Sequence, residues 1–227
     1  RSPTTCGAWR RVPPEAELLL GDLLIGVTQF FRDPEVIEAL ADQVVPQMVR
    51  TAGTTGTVRV WVPGCASGEE VYSIAILISE QLSLLDDHRN VTIFGTDIDT
   101  ELLAIARQGR YSKQIREHVS PERLARYFTP EGESFQISKE LRQMCIFSVH
   151  SLIEDPPFSS LDLISCRNLL IYLGTDLQKK LVPLFHFSLR PGGVLLLGPS
   201  EGLSAHAELF ATVDKKFRLF RRSDVVG

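Results

Sequence analysis

Three short segments hold residue types whose spacing can do chemistry. The first is Pro63-Gly64-Cys65-Ala66-Ser67-Gly68-Glu69-Glu70, between a β-rich run and a helical stretch. Small residues let a backbone approach a ligand closely, and a helix N-terminus adds free N–H donors. The pattern is neither the dinucleotide G-x-G-x-x-G, which Ala66 and Glu69 break, nor a P-loop, since no G-K-[ST] occurs. Glu69 and Glu70 would repel a pyrophosphate. They suit a positively charged ligand such as the α-amino group or sulfonium of S-adenosylmethionine, or equally they complement the helix dipole. The second segment is Thr96-Asp97-Ile98-Asp99. An acid ending the second strand of a nucleotide fold can accept hydrogen bonds from ribose hydroxyls; Asp97 fits that role, and Asp99 fits a helix N-cap. The third is Cys166-Arg167-Asn168-Leu169-Leu170-Ile171-Tyr172, where Asn168 and Tyr172 leave an apolar strand at the place a substrate would be held. Tyr172 can also be read as helix-start packing with its hydroxyl in water.

Other chemistries find little support. Cys6, Cys65, Cys145 and Cys166 form no C-x-x-C pair and have no zinc-ligand spacing with the five histidines. No metal is expected. Cys166 has no paired His, and reads as a small buried hydrophobe rather than a nucleophile. The cysteine usage suits a reduced, cytoplasmic setting. With 24 Lys and Arg against 28 Asp and Glu, nucleic-acid binding is not the expected task. Apolar runs such as Val194–Leu197 fall far short of the roughly 18 residues of a membrane-spanning helix, so no membrane insertion is expected. The 227-residue chain, 44% hydrophobic and 23% charged, is globular in composition and long enough to bury a core without disulfides. It starts at Arg1 with no signal-peptide pattern, and is expected to be cut from a longer protein.

The elements that must position these segments follow from the pattern. Asp33-Pro34 predicts an N-cap and first helical residue, and Val36, Ile37, Leu40, Val44, Val45 and Met48 recur on one helical face. A Gly/Thr linker follows at 52–57. Strands are predicted at Val58–Val62, Val91–Gly95, Leu161–Ser165 and Val194–Gly198, and helices at about Glu69–Leu82, Thr100–Arg107 (stopped near Gly109) and Thr175–Leu189. Ser120-Pro121 opens another helix. Phe135–Ile137 and Met144–Val149 read as short strands around a charged turn, and Pro191-Gly192-Gly193 as a turn. Thr212–Val213 and Phe217–Arg221 suggest a terminal antiparallel hairpin. Strands alternating with helices imply βαβ units and a mainly parallel α/β sheet. Such sheets bind ligands outside the carboxyl ends of their strands, here the loops after Val62, Gly95, Val149 and Ser165.

Thr28-Gln29-Phe30-Phe31-Arg32, Val60-Trp61 through Gly68-Glu69-Glu70-Val71-Tyr72-Ser73-Ile74-Ala75, Thr96-Asp97-Ile98-Asp99, and Cys166-Arg167-Asn168 with Ile171-Tyr172 together resemble the CheR-type chemoreceptor glutamate methyltransferases. The resemblance runs from about Leu23 to Phe220, and its T-x-F-F-R and C-R-N-x-x-I-Y blocks are specific to that family. It implies a class I S-adenosylmethionine-dependent methyltransferase: a Rossmann-like, mainly parallel sheet ending in an antiparallel hairpin, with a small β-subdomain inserted at about 119–149. Residues 1–22 would be a linker or a remnant of the family's helical N-terminal domain, and 23–227 the catalytic domain. The resemblance places Thr28, Arg32, Glu70, Asp97, Asn168 and Leu169 at the cofactor. It puts Ser151 and Leu152 near the adenine, and Arg32 and Tyr172 nearest the reacting methyl group. Glutamate side chains on chemoreceptor cytoplasmic helices, or on another signalling protein, would be the acceptors. Gly26 stands where the family commonly has Asn. The short loop at Thr129–Ser134 resembles the pentapeptide-independent members. The wording of Leu24–Thr28 and of Ser165–Leu173 resembles the methyltransferase module of methylesterase–methyltransferase–PAS hybrids.

That chemistry fits the absence of a His-Asp or metal constellation. A glutamate carboxyl, with a free pKa of about 4.3, is already ionised at neutral pH; the enzyme must align carboxylate, methyl and sulfur and exclude water. Arg32 would orient the acceptor carboxylate and Tyr172 would wall in the methyl group, although Arg32 also reads as a surface ion pair with Asp33 or Glu35. The basic Lys215, Lys216, Arg218, Arg221 and Arg222 read most simply as a solvated strand face. Two other functions compete: a non-catalytic cofactor-binding sensor within a signalling hybrid, and a small-molecule methyltransferase.

Overall fold

The computed structural model describes residues 28–51, 56–203 and 206–224. Residues 1–22, Gly26, Cys6 and most of the 52–57 linker, on which expectations were placed above, lie outside them. The described residues open with three consecutive helical segments, α1 (Pro34–Ala39), a π-helical turn at Leu40–Val44 and α2 (Val45–Thr51). There follow β1 (Val58–Pro63), α3 (Glu69–Leu85), β2 (Val91–Asp97), α4 (Thr100–Gln108), β3 (Arg110–Ser112), α5 (Pro121–Tyr127), β4 (Phe128–Glu131) and β5 (Ser134–Ile137). The second half holds α6 (Lys139–Met144), β6 (Cys145–Val149), β7 (Leu161–Cys166), α7 (Thr175–Ser188), β8 (Leu189–Leu197), β9 (Phe210–Asp214) and β10 (Leu219–Arg222).

Seven strands form one sheet in the order β6-β2-β1-β7-β8-β10-β9. β1 pairs in parallel with β2 (Val60 opposite Ile93) and with β7 (Val60 opposite Leu163). β6 and β8 extend the parallel set; only β10 runs against it, antiparallel both to β8 and to β9, with which it forms the predicted terminal hairpin. The near-continuous apolar runs of β1 and β7 follow from burial on both faces. One face packs Leu40, Ile74, Ile78 and Leu103; the other packs Trp61, Leu181, Phe185 and Leu195. Each such fully buried Leu, Ile or Phe contributes roughly 1.5–3 kcal/mol. Chain order reverses direction between β1 and β7, so the crevice at their carboxyl ends is the sheet's switch point.

Several local expectations are corrected. Asp33 does sit at the N-cap of the first helix, its carbonyl accepting the Val36 N–H at 2.8 Å, but in left-handed backbone, φ 56°, and its carboxylate turns to Arg167 instead of capping the helix. The charged stretch before Cys145 is not a turn but α6, capped by Ser138, which accepts from the Leu141 N–H. β6 belongs to the large sheet beside β2, not to the small sheet, which is β3-β5-β4 and recruits Arg110–Ser112. Pro191-Gly192-Gly193 does not end a strand: it bulges out of β8, because Leu161 faces Leu189 while Leu163 already faces Val194.

Candidate functional site

The loop between β1 and α3 is held in an unusual path by two external groups. Gly64, Ala66 and Gly68 all have positive φ, 65°, 46° and 91°. Asp97 Oδ2 accepts the Ala66 N–H at 2.8 Å, and the Tyr111 hydroxyl on β3 donates to the Ser67 carbonyl at 2.7 Å. Only glycine suits position 68, where an added Cβ would come within 2.9 Å of the Ala106 Cβ. The two acids that open α3 diverge. Glu69 folds back to accept the Ser67 hydroxyl, and burial pushes its carboxyl above the ordinary range despite that bond. Glu70 points toward β7, where Oε1 accepts the Ser165 hydroxyl at 2.6 Å and Oε2 lies 3.3 Å from Arg167 Nη1.

Arg167 is the site residue that sequence reasoning left without a role. Its side chain is 1% exposed, and besides Glu70 it contacts Asp33 Oδ2 at 2.5 Å and donates to the Arg32 carbonyl at 3.1 Å. One guanidinium fork therefore joins the start of α3, the end of β7 and the T-x-F-F-R segment. The signal was present: a cation directly after a strand buried along its whole length needs internal partners. The 28–33 segment is further fixed by Phe30, whose ring meets Tyr111 and Phe128 edge-on at 4.9 and 5.5 Å, and by the Phe31 N–H, which donates to Ser73 Oγ at 2.9 Å. Glu35, the other suggested partner of Arg32, pairs with Lys216 at 2.7 Å instead.

The remaining predicted residues line the same strand ends. Asp97 also accepts the Asp99 N–H at 3.0 Å, while Asp99 caps α4 as predicted by accepting from Glu101 and Leu102. The His150 N–H bonds the Asp97 carbonyl at 3.0 Å, bringing Ser151 and Leu152 beside the end of β2. The Ser151 hydroxyl accepts from the Glu154 N–H at 3.2 Å, and Leu152 packs on the Trp61 face of the core. Asn168 is left-handed, φ 57°, and Leu169 lies over Gly64, close enough that a Cβ there would sit 3.0 Å from Leu169 Cδ2. Tyr172 closes a short 3-10 turn, Leu170–Tyr172, with its side chain partly exposed. Thr28 and Arg32 are half-buried at the start of the described chain. Cys65 and Cys166 are buried, and burial raises both thiol pKa values, as expected of unreactive packing residues. Among the described residues no His/Cys/Asp/Glu group could hold a metal, and no helix is long and apolar enough to cross a membrane.

The donor set fits a cationic nucleoside ligand. Two carboxylates, Glu70 and Asp97, flank the switch-point loop. Asp97 gives only two of its lone pairs to backbone N–H groups, which leaves acceptor capacity for a diol. A mainly parallel sheet with an antiparallel C-terminal pair and this loop at its switch point defines an S-adenosylmethionine-dependent methyltransferase fold. Residues 26–218 match the family described as CheR methyltransferase, SAM binding domain, and the chain belongs to that family, whose cofactor is S-adenosylmethionine. It is 40% identical over 215 residues to the Pseudomonas putida methyltransferase Cher3, covering 90% of this chain and 76% of that one. It is 33% identical to chemotaxis protein methyltransferase 2 of Vibrio cholerae, covering 90% and 71%. A 104.1 kDa Rhodobacter capsulatus protein is 35% identical over 207 residues, and the chain spans 91% of itself but only 22% of that protein. Solved structures superpose loosely: a SAM-bound amino pentose methyltransferase from Micromonospora echinaspora gives a TM-score of 0.42 at 17% identity, over 85% of this chain and 58% of that one.

Proposed function

We infer that the chain is a catalytic domain that methylates glutamate side-chain carboxylates of chemoreceptor cytoplasmic helices or of a related signalling protein, forming methyl esters in the cytoplasm. The observation that carries this reading is Arg167, in the C-R-N-x-x-I-Y block, bonded to the Arg32 carbonyl in the T-x-F-F-R block. The two stretches that mark the protein-modifying family thereby share one crevice. The chemotaxis names of relatives support the acceptor class. The two-residue connection between β4 and β5, Gly132-Glu133, supports recognition that is independent of a receptor pentapeptide.

In this reading Thr28, Arg32, Glu70, Asp97, Ser151, Leu152, Asn168 and Leu169 hold S-adenosylmethionine, which supplies an electrophilic methyl group and a neutral thioether leaving group. Asp97 accepts the ribose hydroxyls, and Ser151 and Leu152 border the adenine. Glu70, already oriented by Arg167 and Ser165, faces the cationic end. Arg32 aligns the acceptor carboxylate by a charge-assisted bond, and Tyr172, at the rim, limits water access and restrains the acceptor. No general base is required, because the acceptor is anionic at neutral pH. Calorimetric titration with S-adenosylhomocysteine, together with a labelled-methyl assay on a receptor cytoplasmic fragment, tests the assignment. Binding with base-labile incorporation is the expected result. Binding without transfer points to the sensor reading, and absence of binding overturns the site.

A further inference from the structure

Glu201 lies outside every segment that the chemistry above uses, yet it is 5% exposed and charged. It follows β8 in Gly198-Pro199-Ser200-Glu201 and turns its carboxylate into the adjacent loop after β7. Oε1 accepts the Leu170 N–H at 2.7 Å and the Ile171 N–H at 3.4 Å. Oε2 accepts the Gly198 N–H at 2.6 Å and the Asn168 N–H at 3.1 Å. The 3-10 turn Leu170–Tyr172 begins at Leu169, which makes no capping bond of its own, so Glu201 supplies from another loop the acceptor that the turn's first N–H groups lack. The close approach also depends on Gly198: a Cβ there would fall 2.7 Å from Glu201 Oε2 and 2.8 Å from the Asn168 nitrogen.

We propose that Glu201 is a positioning residue of the cofactor and acceptor site, setting the backbone of 168–171 and, through it, Asn168, Leu169 and Tyr172. The proposal rests on the functional reading above. Its four bonds hold Asn168 in the left-handed conformation that a free loop would populate sparsely. Glu201→Gln keeps the shape but turns an NH2 toward backbone donors. The expected result is amide hydrogen exchange at least tenfold faster at Asn168, Leu170 and Ile171, with S-adenosylhomocysteine affinity at least tenfold lower. Val182→Ala, in the packed core of α7, serves as the destabilised comparator, with affinity within twofold of the parent chain. Should Glu201→Gln not fold, Gly198→Ala gives the same comparison through the Gly198 and Asn168 bonds. A folded variant with unchanged exchange at these amides, or with parent-like affinity, overturns the proposal while the parent's own binding leaves the site assignment standing. A parent chain that does not bind S-adenosylhomocysteine overturns both.

Discussion

Replacing Arg167 with Met gives the sharpest test of how the site is held. The guanidinium is 1% exposed and joins Glu70, 15% exposed, to Asp33, 42% exposed. Met fills a similar volume but strands the two carboxylates. Removing one partner of a buried pair costs about 3–5 kcal/mol, because the other charge is left desolvated. Asp33 can rehydrate, so its share is small; Glu70 cannot do so without opening the start of α3. A loss of about 3 kcal/mol is expected, or roughly 6–12 °C in Tm for a domain of this size. Urea and thermal melts of the ligand-free chain measure it. The double variant Arg167→Met with Glu70→Gln removes the stranded charge as well. Relative to the sum of the single changes it should recover about 1.5–3 kcal/mol. A loss below about 1 kcal/mol for Arg167→Met, or strict additivity in the double variant, would show that the network carries no such coupling.

Asp97→Ala should weaken S-adenosylhomocysteine binding at least tenfold, and should also lower stability by about 1–2 kcal/mol, because the Ala66 and Asp99 N–H groups lose their acceptor; unchanged affinity by calorimetry would remove Asp97 from the ribose role. Tyr172→Phe should slow methyl transfer by less than about tenfold while leaving cofactor affinity intact, since the hydroxyl sits at an exposed rim; a matching fall in affinity would mean that Tyr172 holds the cofactor instead. Glu69 carries a carboxyl pKa raised by burial, so its contribution to stability is most favourable below the ordinary carboxylate range and is lost as pH rises through the raised value. Glu69→Gln should therefore gain stability relative to the parent between about pH 4 and about pH 7; an equal offset in urea melts at both would contradict the burial argument.

The sequence alone determined the class of sheet and where its chemistry lies. Largely apolar runs at Val58–Val62 and Leu161–Ser165, broken only by Arg59, Asp162 and the terminal Ser165, point to burial on both faces, and helix-length segments between strands require parallel crossovers. Those two facts place the 63–70, 96–99 and 166–172 segments together without any knowledge of contacts. Asp99 as a cap and Cys166 as packing are local properties, and both were legible for that reason. Tertiary structure decided the partners of the charges. Asp33 takes the N-cap position its sequence predicts, yet its carboxylate goes to a buried guanidinium 134 positions along the chain rather than to the helix. Arg167 and Glu201 could be seen as unusual only by their charge at the ends of apolar strands. Which backbone amides and carboxylates satisfy them depends on β7 lying between β1 and β8, a matter of strand order. The bulge at Pro191-Gly192-Gly193 and the helix at Lys139–Met144 were settled in the same way: local turn and charge signals yield when neighbouring strands and a packed face offer hydrogen bonds and burial that an isolated segment cannot find.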